Sequence, residues 1–144
     1  MFVAGILVIP AGRAVAPDAV VGGGVWVFGL AAVIGWFGLL LRWWSFVTLG
    51  EYFTLVVRPS ADQPVVDGDP YRVLRHPSYT GLLLAVVGCG LMLGNWVSTA
   101  GSAAVVLVAL LFRIRVEERA LDAALGNAYR GFAAGRARLI PWLW

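Results

Sequence analysis

The sequence predicts an all-α integral membrane protein, a bundle of about four transmembrane helices containing a helical hairpin and followed by an amphipathic C-terminal helix. Composition is the first observation behind this: of 144 residues, 60% are hydrophobic and 13% charged, and the mean hydropathy is +0.84. Soluble domains carry about 25% charged residues. The second is that the apolar residues form long runs separated by Pro, Gly and Asp clusters. The third is the placement of charge. All eleven basic residues are arginines and the net charge is +3, and these arginines flank the apolar runs without forming a basic face interleaved with polar residues. That argues against a nucleic-acid partner and makes membrane lipids the surroundings. A single cysteine, Cys89, inside an apolar run excludes an internal disulfide and a cysteine metal cluster. Its simplest role is as a small buried apolar residue.

Residues 2–9 are apolar but too short to span alone against a need of about 20 residues, and extension through residue 16 makes a short first helix. Ala14-Val15-Ala16 resembles a signal-peptidase site, but no positive charge precedes the run, so a helix is the preferred reading. Pro17, Asp18 and Gly22-Gly23-Gly24 break the chain. Residues 25–41 are then a transmembrane helix closed by Arg42, Trp43 and Trp44 as an interfacial anchor. Ala31 and Gly35 fall four apart, as do Ala32 and Trp36, leaving one face small enough for close helix packing. Residues 45–57 mix Glu51, Tyr52 and Thr54 with apolar residues, which predicts an interfacial or re-entrant segment. Three prolines, three aspartates and one glycine within residues 58–70 predict an aqueous loop.

Pro77 opens the next helix, since proline suits the first helical position. Its apolar run halts at Gly94-Asn95, Trp96 marks the far interface, and residues 97–112 return, so residues 78–118 form a helical hairpin with a minimal turn. From Arg113 the returning arm carries charge on every turn yet keeps Leu121 and Leu125, which predicts an amphipathic helix ending near Gly126. The tail, with Tyr129, Phe132 and three further arginines, is expected along the interface. Ten of the eleven arginines then lie on one side and only Arg13 on the other, which makes the arginine-rich side cytoplasmic.

The chemistry concentrates in two clusters. Residues 68–81, GDPYRVLRHPSYTG, hold two arginines, the only histidine, two tyrosines and two prolines between apolar helices. At about 1.5 Å per residue, Tyr79 lies roughly 24 Å from the Asn95 turn along one arm and Glu117 roughly 33 Å along the other. Both clusters therefore reach the same membrane boundary. The helix beginning at Pro77 points its positive dipole end and free N–H groups there, beside Arg75 and His76, which reads as an anion site. Arg113 and Glu117 are four apart and can pair, whereas Glu118 points about 100° away and needs another partner, Arg75 or a cationic ligand. Plainer readings stand beside these. The charged arm is equally a solvated helix end, His76 a cap before Pro77, and Tyr71 and Tyr79 interface aromatics. The sequence has no GxGxxG after a strand, no P-loop, no paired histidines at metal spacing, and no Ser-His-Asp set. No metal is expected.

The string Tyr71-Arg72-Val73-Leu74-Arg75-His76-Pro77-Ser78-Tyr79-Thr80-Gly81, followed by Gly94-Asn95, Arg113-x3-Glu117-Glu118, Leu121-x3-Leu125-Gly126, Tyr129-x2-Phe132 and Ile140-Pro141, resembles the isoprenylcysteine carboxyl methyltransferase family. Leu49-Gly50-x-Tyr52-Phe53-Thr54 is similar to the segment before that family's cofactor-binding half. The resemblance covers residues 42–141. It implies one methyltransferase domain over residues 1–144, in which 1–57 are N-terminal spans and an interfacial segment and 58–144 the cofactor-binding half. It implies S-adenosylmethionine as cofactor, contacted by His76, Tyr79, Gly81, Glu118 and Tyr129 and lined by Tyr71, Arg72, Val73 and Leu74. Arg75, Arg113 and Glu117 become the candidates for holding an acceptor carboxylate and ordering the site. The implied partner is a lipophilic or lipidated small molecule such as a prenylcysteine-like acid, and the expected location is a bacterial cell membrane with the site at the cytoplasmic face. The chain departs from the family at Leu125 and Phe132, where phenylalanine and tyrosine are usual. Methylation of a phospholipid amine or a small lipophilic thiol, a non-catalytic helical membrane module and a sterol-type reductase are the competing readings.

Overall fold

The computed structural model describes residues 14–50 and 68–141. Within them the chain forms four helices, α1 (Gly24–Leu49), α2 (Pro77–Met92), α3 (Trp96–Leu125) and α4 (Asn127–Ala133). No strand is present among the described residues, only two isolated bridges. The expected first helix, most of the segment after Gly50 and the start of the aqueous loop lie outside the described residues. α1 and α3 are long and apolar enough to cross a membrane, at 26 and 30 residues. α2 is apolar but has 16 residues, roughly 24 Å against a hydrocarbon core of about 30 Å. The expectation of full spans therefore holds for two helices, and α2 starts at Pro77 and stops just before the Gly94-Asn95 turn as its apolar run predicted; Cys89 on it is exposed, where burial was expected.

Two compact units are formed among the described residues, one from 14–40 and 81–110, the other from 41–50, 68–80 and 111–141. In the first, α1 and α2 touch backbone to backbone. A Cβ on Gly88 would lie 2.5 Å from the Gly35 nitrogen and 2.7 Å from the Ala31 oxygen, and one on Gly38 would lie 2.5 Å from the Gly81 oxygen. This is the small-residue face expected around Ala31 and Gly35, and Ala31 is fully buried. Trp26, Val33, Trp36 and Phe37 of the same helix stay exposed, as a lipid-facing surface requires where water is absent.

α3 buries a line of positions four residues apart, Ser98, Ser102, Val106, Leu110 and Ile114. Two of its hydroxyls are satisfied by backbone one turn earlier: Ser102 Oγ donates to the Ser98 carbonyl at 2.7 Å and Thr99 Oγ1 to the Asn95 carbonyl at 2.9 Å, while the buried Ser98 Oγ makes no hydrogen bond among the described residues. The same device explains why α1 continues past the expected interface. Ser45 is buried and donates to the Leu41 carbonyl at 2.7 Å, so the polar residue costs the helix nothing and α1 runs on to Leu49.

Asn95 makes the hairpin turn. Its Oδ1 accepts from the Ser98 N–H at 2.8 Å, capping α3, while its Nδ2 donates to the Ala16 carbonyl at 2.7 Å. The N-terminal segment is held by the same turn, through Val21 N–H to the Gly94 carbonyl at 2.8 Å and Trp96 N–H to the Ala19 carbonyl at 3.0 Å. Losing such a cap costs about 1 kcal/mol and up to about 2. Asn95→Ala is expected to lower the thermal unfolding midpoint in detergent, and Asn95→Asp, which keeps the cap but loses the Ala16 bond, to recover part of the loss. An unchanged midpoint in Asn95→Ala rules the cap out as a stabilising element.

Candidate functional site

In the second unit the end of α1, the 68–80 segment, the charged end of α3, α4 and the tail converge. The segment before α2 is positioned by its neighbours: Tyr71 Oη donates to the Ser45 carbonyl at 3.3 Å and Thr48 Oγ1 to the Asp69 carbonyl at 2.9 Å. Tyr71 and Leu74 point inward while Arg72 and Val73 remain exposed. Burial, reinforced by the Glu117 charge, raises the Tyr71 phenol above its ordinary range and keeps it a donor.

The tail does not simply lie along an interface. Residues 136–139 run beside residues 73–76, with a parallel bridge between Leu74 and Ala137. Arg75 N–H donates to the Ala137 carbonyl at 2.7 Å, His76 N–H to the Arg138 carbonyl at 3.2 Å, and Thr80 Oγ1 to the Leu139 carbonyl at 2.6 Å. The Arg75 and His76 amides just ahead of α2 are therefore committed to carbonyls. The anion held beside them is the protein's own Glu118. Its carboxylate accepts from Arg75 Nη1 at 3.1 Å and from Arg138 Nε at 3.0 Å, and His76 Nε2 sits 3.5 Å away. At that distance the histidine contact is Coulombic and not a proper hydrogen bond.

Arg75 also donates through Nε to the Arg136 carbonyl at 2.9 Å. The sequence expectation that Glu118 needs Arg75 is realised, and Arg138 is a partner that sequence reading missed. The tail arginines were legible, but nothing in their spacing pointed twenty residues back to Glu118.

The second cluster is organised by Tyr79. Its hydroxyl donates to Glu117 Oε2 at 2.6 Å and accepts from Arg113 Nε at 2.7 Å, so the two residues four apart on α3 meet through a phenol. Tyr79 also stacks on His76, with ring centroids 5.5 Å apart and planes 16° from parallel. The stack joins the Glu117 cluster to the Glu118 cluster. Gly81, the last residue of the motif, sits one turn into α2 with its carbonyl against Gly38, a packing position.

Three buried polar atoms at this site make no hydrogen bond among the described residues, His76 Nε2, the Tyr129 hydroxyl and Arg136 Nε. Tyr129 lies on α4, which follows α3 after Gly126 with φ of +51°, a conformation that glycine adopts without strain. Burial, with the Glu118 charge, pushes the Tyr129 phenol up and keeps it protonated. A buried donor without a partner costs about 1–3 kcal/mol, which a bound ligand can remove. Phe132, where a tyrosine was expected, receives the Arg136 guanidinium over its ring at 4.5 Å from the centroid. Arg42, read from sequence as an anchor, instead donates from Nη1 to the carbonyl and hydroxyl of Ser78 at 3.1 and 3.2 Å. Among the described residues no three His, Cys, Asp or Glu side chains gather as a metal site.

Known proteins resemble the chain in sequence and in fold. The chain is similar to protein-S-isoprenylcysteine O-methyltransferase A of Arabidopsis thaliana, 34% identical over 122 residues that make up 82% of this chain and 61% of that protein. It is similar to the methanethiol S-methyltransferase of Mycobacterium tuberculosis, 38% identical over 73 residues, 50% of this chain and 28% of that one. The solved structure of the eukaryotic intramembrane Ras methyltransferase ICMT superposes with a TM-score of 0.80 at 22% identity, covering 97% of this chain and 50% of that chain. The chain thus spans about three-fifths of the first of these relatives and half of the solved one. The superposition makes the fold that of an integral membrane helical protein. The model of the isoprenylcysteine carboxyl methyltransferase (ICMT) family matches residues 30–123, well over half of the sequence and including both glutamates and the whole 71–81 motif, and the chain belongs to that family.

Proposed function

We propose that this protein is a membrane-embedded, S-adenosylmethionine-dependent methyltransferase that esterifies the carboxylate of a lipophilic acceptor, a prenylcysteine-like thioether acid. The observation that carries the reading is a pair of buried polar atoms that make no hydrogen bond among the described residues, His76 Nε2 and Tyr129 Oη, in the same unit as a carboxylate held by Arg75 and Arg138. S-adenosylmethionine is a zwitterion with a sulfonium, so hydrogen-bonding groups and both signs of charge suit it, and the residues present fit. His76, Tyr79, Glu118 and Tyr129 would hold it, with the backbone of Tyr71, Arg72, Val73, Leu74 and Gly81 beside it. The cofactor, when bound, supplies an electrophilic methyl group on a sulfonium sulfur. An ionised acceptor carboxylate would need only to be positioned to receive that methyl group. No proton moves, because the carboxylate is already ionised. Arg75, Arg113 and Glu117 therefore act by positioning and charge matching, and no general base is needed. The site would face the cytoplasm of a bacterial cell, on the side where ten of the eleven arginines lie.

A second reading, methyl transfer to a small thiol, is favoured by the likeness to the mycobacterial methanethiol S-methyltransferase. Labelled S-adenosylmethionine incubated with the protein and either a farnesyl thioether of N-acetylcysteine or methanethiol separates the two. An alkali-labile product that releases labelled methanol supports the ester, and a stable thioether supports the thiol. Calorimetric titration with S-adenosylhomocysteine tests the cofactor directly: wild-type protein should bind, and His76→Ala should bind about tenfold more weakly, the loss of one buried hydrogen bond. Wild-type affinity in that variant would remove His76 from the cofactor site.

A further inference from the structure

We propose that Arg115 and Arg119 on α3 bind the headgroup of an anionic phospholipid, whose chains lie along the exposed apolar residues of the same helix. Both arginines are exposed. Val108, Phe112 and Val116 on α3 are 65%, 64% and 44% exposed. At about 100° per residue, these five positions fall within an arc of about 100°. Leu110 and Ile114, on the opposite side, are fully buried. The outward arc of α3 thus changes from apolar to cationic along its length.

The spacing suits a lipid. At about 1.5 Å per residue, the two arginines lie roughly 4–11 Å beyond Phe112 along the axis. A headgroup layer is about 5–8 Å deep on each side of the hydrocarbon core. With Phe112 at the edge of the acyl region, both guanidinium groups reach phosphate depth. Side chains four apart on a helix are neighbours, so both forks can reach one phosphodiester, and two like charges so placed repel until an anion joins them.

The nearest carboxylates on α3 are engaged elsewhere. Glu118, three residues after Arg115, is held by Arg75 and Arg138. Asp122, three after Arg119, pairs with Arg130 at 2.7 Å, and Glu117 accepts from Tyr79. None of the ion pairs among the described residues uses Arg115 or Arg119. Glu51, Asp62 and Asp67 lie outside the described residues and are the alternative anions, which the experiment separates from lipid. A zwitterionic lipid carries an ammonium beside its phosphate, so only an anionic one brings net charge to the pair, worth about fivefold in binding per arginine. Glu117 and Glu118 lie between the two arginines in the chain, so the lipid anchors the stretch of α3 that carries both site carboxylates.

The full chain in detergent is titrated with phosphatidylglycerol or phosphatidylcholine, and bound lipid is counted by native mass spectrometry. Wild type should prefer phosphatidylglycerol by about twentyfold and Arg115→Gln or Arg119→Gln by about fivefold, while the double variant should bind the two lipids alike. Arg130→Gln, at an exposed arginine already paired with Asp122, should keep the wild-type preference. An undiminished preference in the double variant overturns the proposal. So does an equal loss in Arg130→Gln, which would make the attraction one of overall charge. Thermal unfolding in nanodiscs checks folding and the chain's own acids: phosphatidylglycerol should raise the wild-type midpoint over phosphatidylcholine and leave the double variant's unchanged. A double variant whose midpoint falls by the same amount in both lipids also overturns the proposal, since the two arginines then serve a carboxylate of the chain.

Discussion

Glu118→Ala is expected to abolish measurable S-adenosylhomocysteine binding and to release the tail from the 73–76 segment. The carboxylate bonds Arg75 and Arg138 and lies 3.5 Å from His76, with 14% of its side chain exposed. Without it, the Arg75 and Arg138 guanidinium groups lose the carboxylate they share beside His76. Removing one partner of a buried charge pair costs about 3–5 kcal/mol. Because Arg138 is 38% exposed and Arg75 20%, solvent screens part of this, and the lower end of that range applies. Two measurements check it: calorimetric titration with S-adenosylhomocysteine, and the rate of tryptic cleavage after Arg136 and Arg138, which should rise as the tail detaches. Glu118→Gln keeps an acceptor oxygen but not the charge and should be intermediate in both. Wild-type titration together with wild-type tryptic resistance in Glu118→Ala would show that this carboxylate neither holds the tail nor forms part of the cofactor site.

Gly88→Ala, like Gly38→Ala on the facing helix, is expected to be strongly destabilising. On Gly88 the added carbon would lie 2.5 Å from the Gly35 nitrogen and 2.6 Å from its Cα. These are backbone atoms of α1, so no side-chain rotation relieves the clash, and the helix itself must move. Overpacking costs about 1–3 kcal/mol; a rigid backbone obstacle puts Gly88→Ala at the top of that range, a fall in Tm of roughly 6–12 °C at this chain length. Gly29→Ala is the contrasting case. It lies on α1 with nothing within 4 Å of a built Cβ, and replacing an unobstructed helical glycine gains up to about 1 kcal/mol. Equal midpoints for the two variants in detergent would exclude the close α1–α2 contact.

The parts of the fold that could be read from sequence are those with local punctuation. Pro77 starts α2, Gly94-Asn95 turns the hairpin, and Gly126 ends α3, each through the backbone preference of a single residue. The α1–α2 contact was legible too, because Ala31 and Gly35 fall on one face. What was not legible depends on partners distant in sequence. Arg42 looked like an interfacial anchor because its bonds go to Ser78, and Arg138 looked like a tail charge because it bonds Glu118. Composition misjudged the end of α1 for a different reason: Ser45 reads as polar, but its hydroxyl is spent on the helix's own carbonyl. The expected meeting of Arg113 and Glu117 is found with a refinement, since Tyr79 stands between them, and only three-dimensional proximity could supply a residue from the other arm of the hairpin.

The tail beside residues 73–76 bears on the order in which the protein is assembled. The bond from Arg75 to Arg136 joins residues 61 apart in sequence, so it closes a loop that contains the whole hairpin. Closing such a loop carries an entropy cost that local contacts do not. The hairpin's own contacts are short-range and can form as its arms enter the bilayer, whereas the seat around Glu118 must wait for both arms, α4 and the tail. A chain halted before residue 136 would therefore be inserted in the membrane with its helices in place and its Arg75–Glu118–Arg138 bridge unmade.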